Sequence, residues 1–218
     1  MKKYSGYMIL IPLSVGLLTI AGWAFSIDIL NRPLYSHIAM NPVTAVCFIL
    51  CSIAFFLDFK RPASGMVSVI SAQMSVSVAL IGMLRLVGIL GLDLHADSWL
   101  FHDAMIAAAK HGTMSHMTTN SALGFILMGS ALRFGIVSDG RAKMICSGMA
   151  LSAFVIGLSA FMGHLYYVST HHENLGYIPM SFLTTICFIC LSISFIIENT
   201  DNVFAGRTFT SFDRLLKA

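Results

Sequence analysis

Charge is what this sequence has least of. Only 11% of the residues are Asp, Glu, Lys or Arg, while 57% are hydrophobic. A soluble domain carries about 25% charged residues, so an ordinary water-exposed surface is excluded. The formal net charge of +3 is small and dispersed, unlike a nucleic-acid footprint. There is no glycine-rich phosphate loop, no dinucleotide fingerprint, no nucleophile motif and no H-E-x-x-H pattern. Enzymatic chemistry is therefore not visible; if there is any, it is that of a membrane oxidoreductase. Cysteine is sparse as well. Cys47, Cys51, Cys146, Cys187 and Cys190 contain one C-x-x-C with no second pair, which reads as small packing residues. The start, MKKYSGYMILIPLSVGLL, has a basic end and an apolar run, but no A-x-A site follows it. An uncleaved first helix is expected.

What the chain does have is long apolar runs. Six segments, at 6–27, 41–58, 64–91, 118–136, 144–168 and 178–197, can each reach the roughly 20 residues that cross a bilayer as a helix. In hydrocarbon every backbone amide must be paired within its own segment, so these are helices. The expected fold class is an all-α integral membrane protein. It has three helical hairpins at 6–58, 64–136 and 144–197, then a short tail at 198–218. Lys2, Lys3, Lys60, Arg61, Arg133, Arg141, Lys143, Arg207, Arg214 and Lys217 fall on one side, and only Arg32 and Lys110 on the other. Lysine and arginine collect in cytoplasmic loops, so both termini are expected in the cytoplasm.

The hairpins repeat one another. Met40-Asn-Pro-Val-Thr44-Ala45-Val-Cys-Phe48 matches Met117-Thr-Thr-Asn-Ser121-Ala122-Leu-Gly-Phe125, and Met180-Ser-Phe-Leu-Thr184-Thr185-Ile-Cys-Phe188 is a third copy. The preceding helices share a glycine pair: Gly16 and Gly22, Gly82 and Gly88, Gly157 and Gly163. Small residues at such columns let membrane helices approach closely, so the hairpins are expected to pack around a pseudo-threefold axis. Gly22 to Met40 is 18 residues and Gly163 to Met180 is 17, but Gly88 to Met117 is 29. The extra segment reads as a short amphipathic helix near 97–110, lying on the outer surface or capping the bundle.

Two stretches carry a resemblance. GLLTIAGWAFSIDIL with MNPVTAVCFILCSIAFFL, and LIGMLRLVGILGLDLHADSWLFHD with SALGFILMGSALRF, resemble the N-terminal transmembrane module of bacterial sensor histidine kinases and diguanylate cyclases. The resemblance covers roughly residues 10–197. It implies a multi-pass protein of the bacterial inner membrane, placed upstream of PAS, kinase or cyclase domains. Here only ENTDNVFAGRTFTSFDRLLKA follows Ile197. Either a partner signalling protein carries the output or the module has a job of its own, and association, with that partner or as a homo-oligomer, is expected.

All eight histidines fall on the outward side of this topology: His37, His95, His102, His111, His116, His164, His171 and His172. His95 and His102 are seven apart, as are His164 and His171, so each pair shares a face if helical. Histidine at the outer end of a bundle is a usual axial ligand of membrane haem b, with methionine as an alternative. His95, His102, His116 and His164 are the candidates, and Gly163 would leave room for a flat macrocycle. Arg85, the only clear intramembrane charge, could face a haem propionate. Equally, it could snorkel to headgroups or pair with Asp28 or Asp93. As a metal site, His102, His116, His164 and His171 with nearby acids suit zinc, and with methionines suit copper. The blander reading is that interfacial histidines are merely solvated. The favoured expectation is redox sensing or electron transfer, with a quinone as redox partner. The alternative is a cofactor-free ligand-sensing or signal-relay module. A small transporter is disfavoured, because the helices are not broken at mid-membrane.

Overall fold

The computed structural model of the protein describes residues 2–33, 38–60, 65–89, 91, 100–110, 112–113, 115–135, 140–170 and 180–215. Among these, every regular element is a helix: α1 (Lys2–Ala24), α2 (Asp28–Asn31), α3 (Pro42–Lys60), α4 (Gly65–Ile89), α5 (His102–Lys110), α6 (Thr119–Gly135), α7 (Gly140–Thr170) and α8 (Phe182–Leu215). Five of them, α1, α3, α4, α7 and α8, are long and apolar enough to cross a membrane. α6 is shorter, at 17 residues.

The long helices form two shells. α3, α6 and α8 touch one another at the centre, and α1, α4 and α7 lie outside. Each outer helix sits in the groove between two inner ones: α1 on α3 and α8, α4 on α6 and α3, α7 on α8 and α6. The sequence columns explain the assembly. Phe48, Phe125 and Phe188, one from each inner helix, are fully buried, with ring centroids 4.8–4.9 Å apart. Edge and tilted contacts of this kind add about 0.5–1.5 kcal/mol each beyond burial. Two turns further along lie Phe55, Leu132 and Phe195, again fully buried.

Outer helices approach through glycine. A Cβ on Gly82 would stand 2.6 Å from the Ala122 carbonyl oxygen, and one on Gly16 would stand 2.9 Å from that of Ala45. Away from these contacts the outer helices expose large apolar side chains, including Leu17 and Leu18 on α1, Met66 and Leu80 on α4, and Leu151 and Val155 on α7. Apolar stripes on all three outer helices are too extensive for a water-facing surface; they fit a protein sitting in lipid. All five cysteines are free thiols, and Cys47, Cys51, Cys146 and Cys187 are buried between helices.

Several boundaries differ from the sequence expectation. The first segment ends at Ala24, not at 27. Ile27 N–H bonds to the Gly22 carbonyl, Ser26 takes a left-handed φ of 56°, and the single turn α2 follows. The amphipathic segment is helical from His102; residues 92–99 lie outside the described set. The segment from Glu198, expected as a tail, continues α8 as helix to Leu215.

Candidate binding site at the capped end

The end of the bundle where α3, α6 and α8 begin is termed the capped end. Each inner helix starts with a side chain that accepts from its first free amides. Asn41 Oδ1 takes Val43 N–H at 2.8 Å, Thr118 Oγ1 takes Ser121 N–H at 3.3 Å, and Ser181 Oγ takes Thr184 N–H at 3.3 Å. These are N-caps. One residue earlier stand Met40, Met117 and Met180, all at most 1% exposed. Their carbonyls precede the helix, so the helical ladder supplies no donor. A buried carbonyl without a donor is costly.

Three chemically different side chains answer that need. Trp23 Nε1 donates to Met40 O at 2.9 Å, Arg85 Nε to Met117 O at 2.8 Å, and His164 Nε2 to Met180 O at 2.7 Å. Because a carbonyl carries no proton, the proton in the last bond belongs to Nε2. Register explains the choice. Trp23 lies seven residues after Gly16 and His164 seven after Gly157, whereas Arg85 lies three after Gly82, a turn deeper. The longer arginine reaches up to the same place.

The expected site residues divide accordingly. Arg85 and His164 sit on α4 and α7, each bonded to the carbonyl of its own neighbouring inner helix. His164 also meets the Phe182 ring edge-on at 5.8 Å. Coordination through its Nε2 would require giving up the Met180 bond. His102 opens α5 and is exposed; His116 is exposed just before α6. His95 and His171 lie outside the described residues. Among the described residues no three His, Cys, Asp or Glu side chains gather as a metal site. Asp28 pairs with Arg32, and Asp93 is outside the described set. Gly163 is exposed, with nothing within 4 Å of where a Cβ would be.

A cavity of ≈ 470 Å³ opens beside α1 at this end. Its lining combines Trp23, Asp28, Asn31, Arg32 and Thr113 with the small residues Gly22, Ala39 and Ala108. Sequence reasoning missed it. The available signal was Arg32, one of two basic residues on the sparsely charged side, together with the insertion in the middle hairpin. α5 forms one wall and is pinned by a small apolar cluster of Trp23, Ala39 and Met105. It stops at Gly112, whose φ of 77° only glycine adopts freely. Thr113 N–H bonds to the Ala108 carbonyl and Gly112 N–H to that of Ala109, a Schellman ending. That turn delivers Thr113 Oγ1 to Arg32 Nη1 at 2.9 Å, while Arg32 Nη2 bonds to Asp28.

The opposite end carries a polar belt that the sequence left unmarked. Ser5 donates to Glu198 Oε2 at 2.7 Å, and Asn199 Nδ2 donates to Lys143 O and Ser147 Oγ. Glu198 is 2% exposed, so Arg85 is not the only charge-bearing side chain drawn into the bundle. These bonds tie α8 to α1 and α7 where it leaves the core.

No family model, curated protein or solved structure matches this chain.

Proposed function

We propose that the protein is a membrane-embedded sensing and relay module. In this reading it crosses a bacterial inner membrane six times as three repeated hairpins, with both termini in the cytoplasm and the capped end outward. It passes changes at the capped end to a partner protein, or to another copy of itself, through α8. The observation that carries the reading is α8. It is one unbroken helix of 34 residues, about 50 Å long at 1.5 Å per residue. It begins at the Ser181 cap and runs on past the belt of Glu198 and Asn199. The equivalent placement of the three methionine carbonyls and the three central phenylalanines supports the repeat, and α6 falls within the roughly 17–25 residues that span a bilayer. The resemblance to sensor kinase and cyclase modules favours the same role.

The test is a chimaera with a diguanylate cyclase fused after Ala218, read by its product. Inserting two residues after Asn199 turns the fused domain by about 200°, whereas seven residues nearly restore its phase. Product formation is expected to change with the first insertion, to return with the second, and to shift with Trp23→Phe at the capped end. Output indifferent to all three changes would sink the relay.

A second reading keeps the haem b expectation, with redox sensing or electron transfer to a quinone as the function. What favours it is that His102, His116 and His164 all belong to the capped end. An absorption spectrum of the purified protein, oxidised and then reduced, decides it. A Soret band that sharpens on reduction supports haem, and a featureless spectrum from haem-replete cells removes it. Copper or zinc would then be sought by elemental analysis.

A further inference from the structure

We infer that the cavity between α1, α2 and α5 binds a small zwitterion of the α-amino-acid class, its carboxylate on Arg32 and its ammonium on Asp28. The inference deepens the sensing reading and rests on it for its biological meaning.

The argument begins with size. A cavity of ≈ 470 Å³ lies within the range of small-molecule sites, about 300–1,000 Å³. The charges then select the ligand. Arg32 spends one proton on Thr113 and one on Asp28, and when the Asp28 bond is exchanged the freed part of its planar fork suits a carboxylate. Its side chain is 23% exposed and that of Asp28 is 70% exposed, so the cation is the deeper member and the anion stands nearer solvent. A ligand carrying only a carboxylate would be repelled by Asp28, and one carrying only an ammonium by Arg32. A neutral polyol would have to break the pair without replacing either charge. A zwitterion replaces both. An exposed ion pair holds itself together weakly, so exchanging it for ligand charges costs little.

The remaining lining fits the rest of such a molecule. Ala39, Ala104, Ala107 and Ala108 leave space for a side chain, and the Trp23 ring gives it an apolar flank. Asn31 is 5% exposed and its Oδ1, packed over Gly22, has no hydrogen-bond partner among the described residues. A buried acceptor without a donor is unfavourable, which leaves this wall of the cavity with an unmet need.

The chain has two tryptophans, Trp23 and Trp99, so Trp99→Phe leaves a single reporter on the cavity wall. The full chain with that substitution, in lipid nanodiscs, is titrated with L-alanine, L-glutamate and L-phenylalanine. Propionate and ethylamine serve as single-charge probes. At least one amino acid is expected to change Trp23 emission saturably, at concentrations at least 100-fold below either single-charge probe. Arg32→Lys, which keeps the charge but loses the fork, should weaken binding about tenfold or more. Asp28→Asn, on an exposed side chain, should do likewise without altering thermal unfolding. Propionate or ethylamine binding as tightly as the amino acids overturns the zwitterion assignment. Absence of saturable change with all three amino acids overturns it too. Neither failure touches the relay, which the insertion series in α8 judges without any ligand.

Discussion

Trp23, Arg85 and His164 have little in common as side chains, yet each places one N–H on the carbonyl that precedes an inner helix. The requirement comes from the backbone. A chain entering a helix inside an apolar bundle leaves one buried acceptor outside the ladder, and the neighbouring helix must supply the donor. Trp23→Phe removes the indole N–H together with the five-membered ring that carries it, so the Met40 carbonyl is left unsatisfied beside a small void. The expected loss is about 1–3 kcal/mol, seen as a lower unfolding temperature in detergent, with Arg85→Met and His164→Ala in the same direction. The residue scale is also where the sequence is hardest to read. Arg85 and His164 stand out in a chain so short of charge, but their partner is a main-chain oxygen, which no side-chain pattern reveals. Glu198 was hidden for a different reason. It heads a polar run, Glu198-Asn199-Thr200-Asp201-Asn202, that looks solvated, although its carboxylate is held by Ser5 within the bundle.

Elements were far more legible. The Met-x-x-x-Thr/Ser and Phe columns are side-chain patterns, and buried side chains repeat at helical spacing because packing demands it. Met40, Met117, Met180, Phe48, Phe125 and Phe188 are all at most 1% exposed. The short pieces between the long helices were not legible. α2 has four residues, too few for any periodicity, and it depends on Ser26 taking a left-handed conformation that the sequence does not announce. The cavity was missed with it. The central phenylalanines set the spacing of α3, α6 and α8. Removing one leaves a void touching both other rings. Phe125→Ala is therefore expected to cost about 3–5 kcal/mol, with Phe48→Ala and Phe188→Ala of similar size. Thermal unfolding of the three variants checks it. A cost confined to one of them would show that the three inner helices do not share the load.

At the scale of the molecule, apolar outer faces and two polar ends fit an object standing upright in a lipid layer. The proposed orientation predicts an asymmetry of access. Asp103 on α5 is exposed at the capped end, so Asp103→Cys is expected to react with a membrane-impermeant thiol reagent added to intact cells. Lys3→Cys should react only after the membrane is broken, and the reverse pattern would invert the topology. The contact of α1 with α8 bears on how such an object can move. It joins the first long helix to the last, so the six helices close into a ring in which every outer helix is wedged between two inner ones. A clamshell needs a seam, and this ring has none. A push on α1 at the capped end presses on α3 and α8 together, and through them on the other two outer helices. For the proposed relay this leaves the motion of an iris, all blades turning a little at once, with α8 as the blade whose stem reaches beyond the frame.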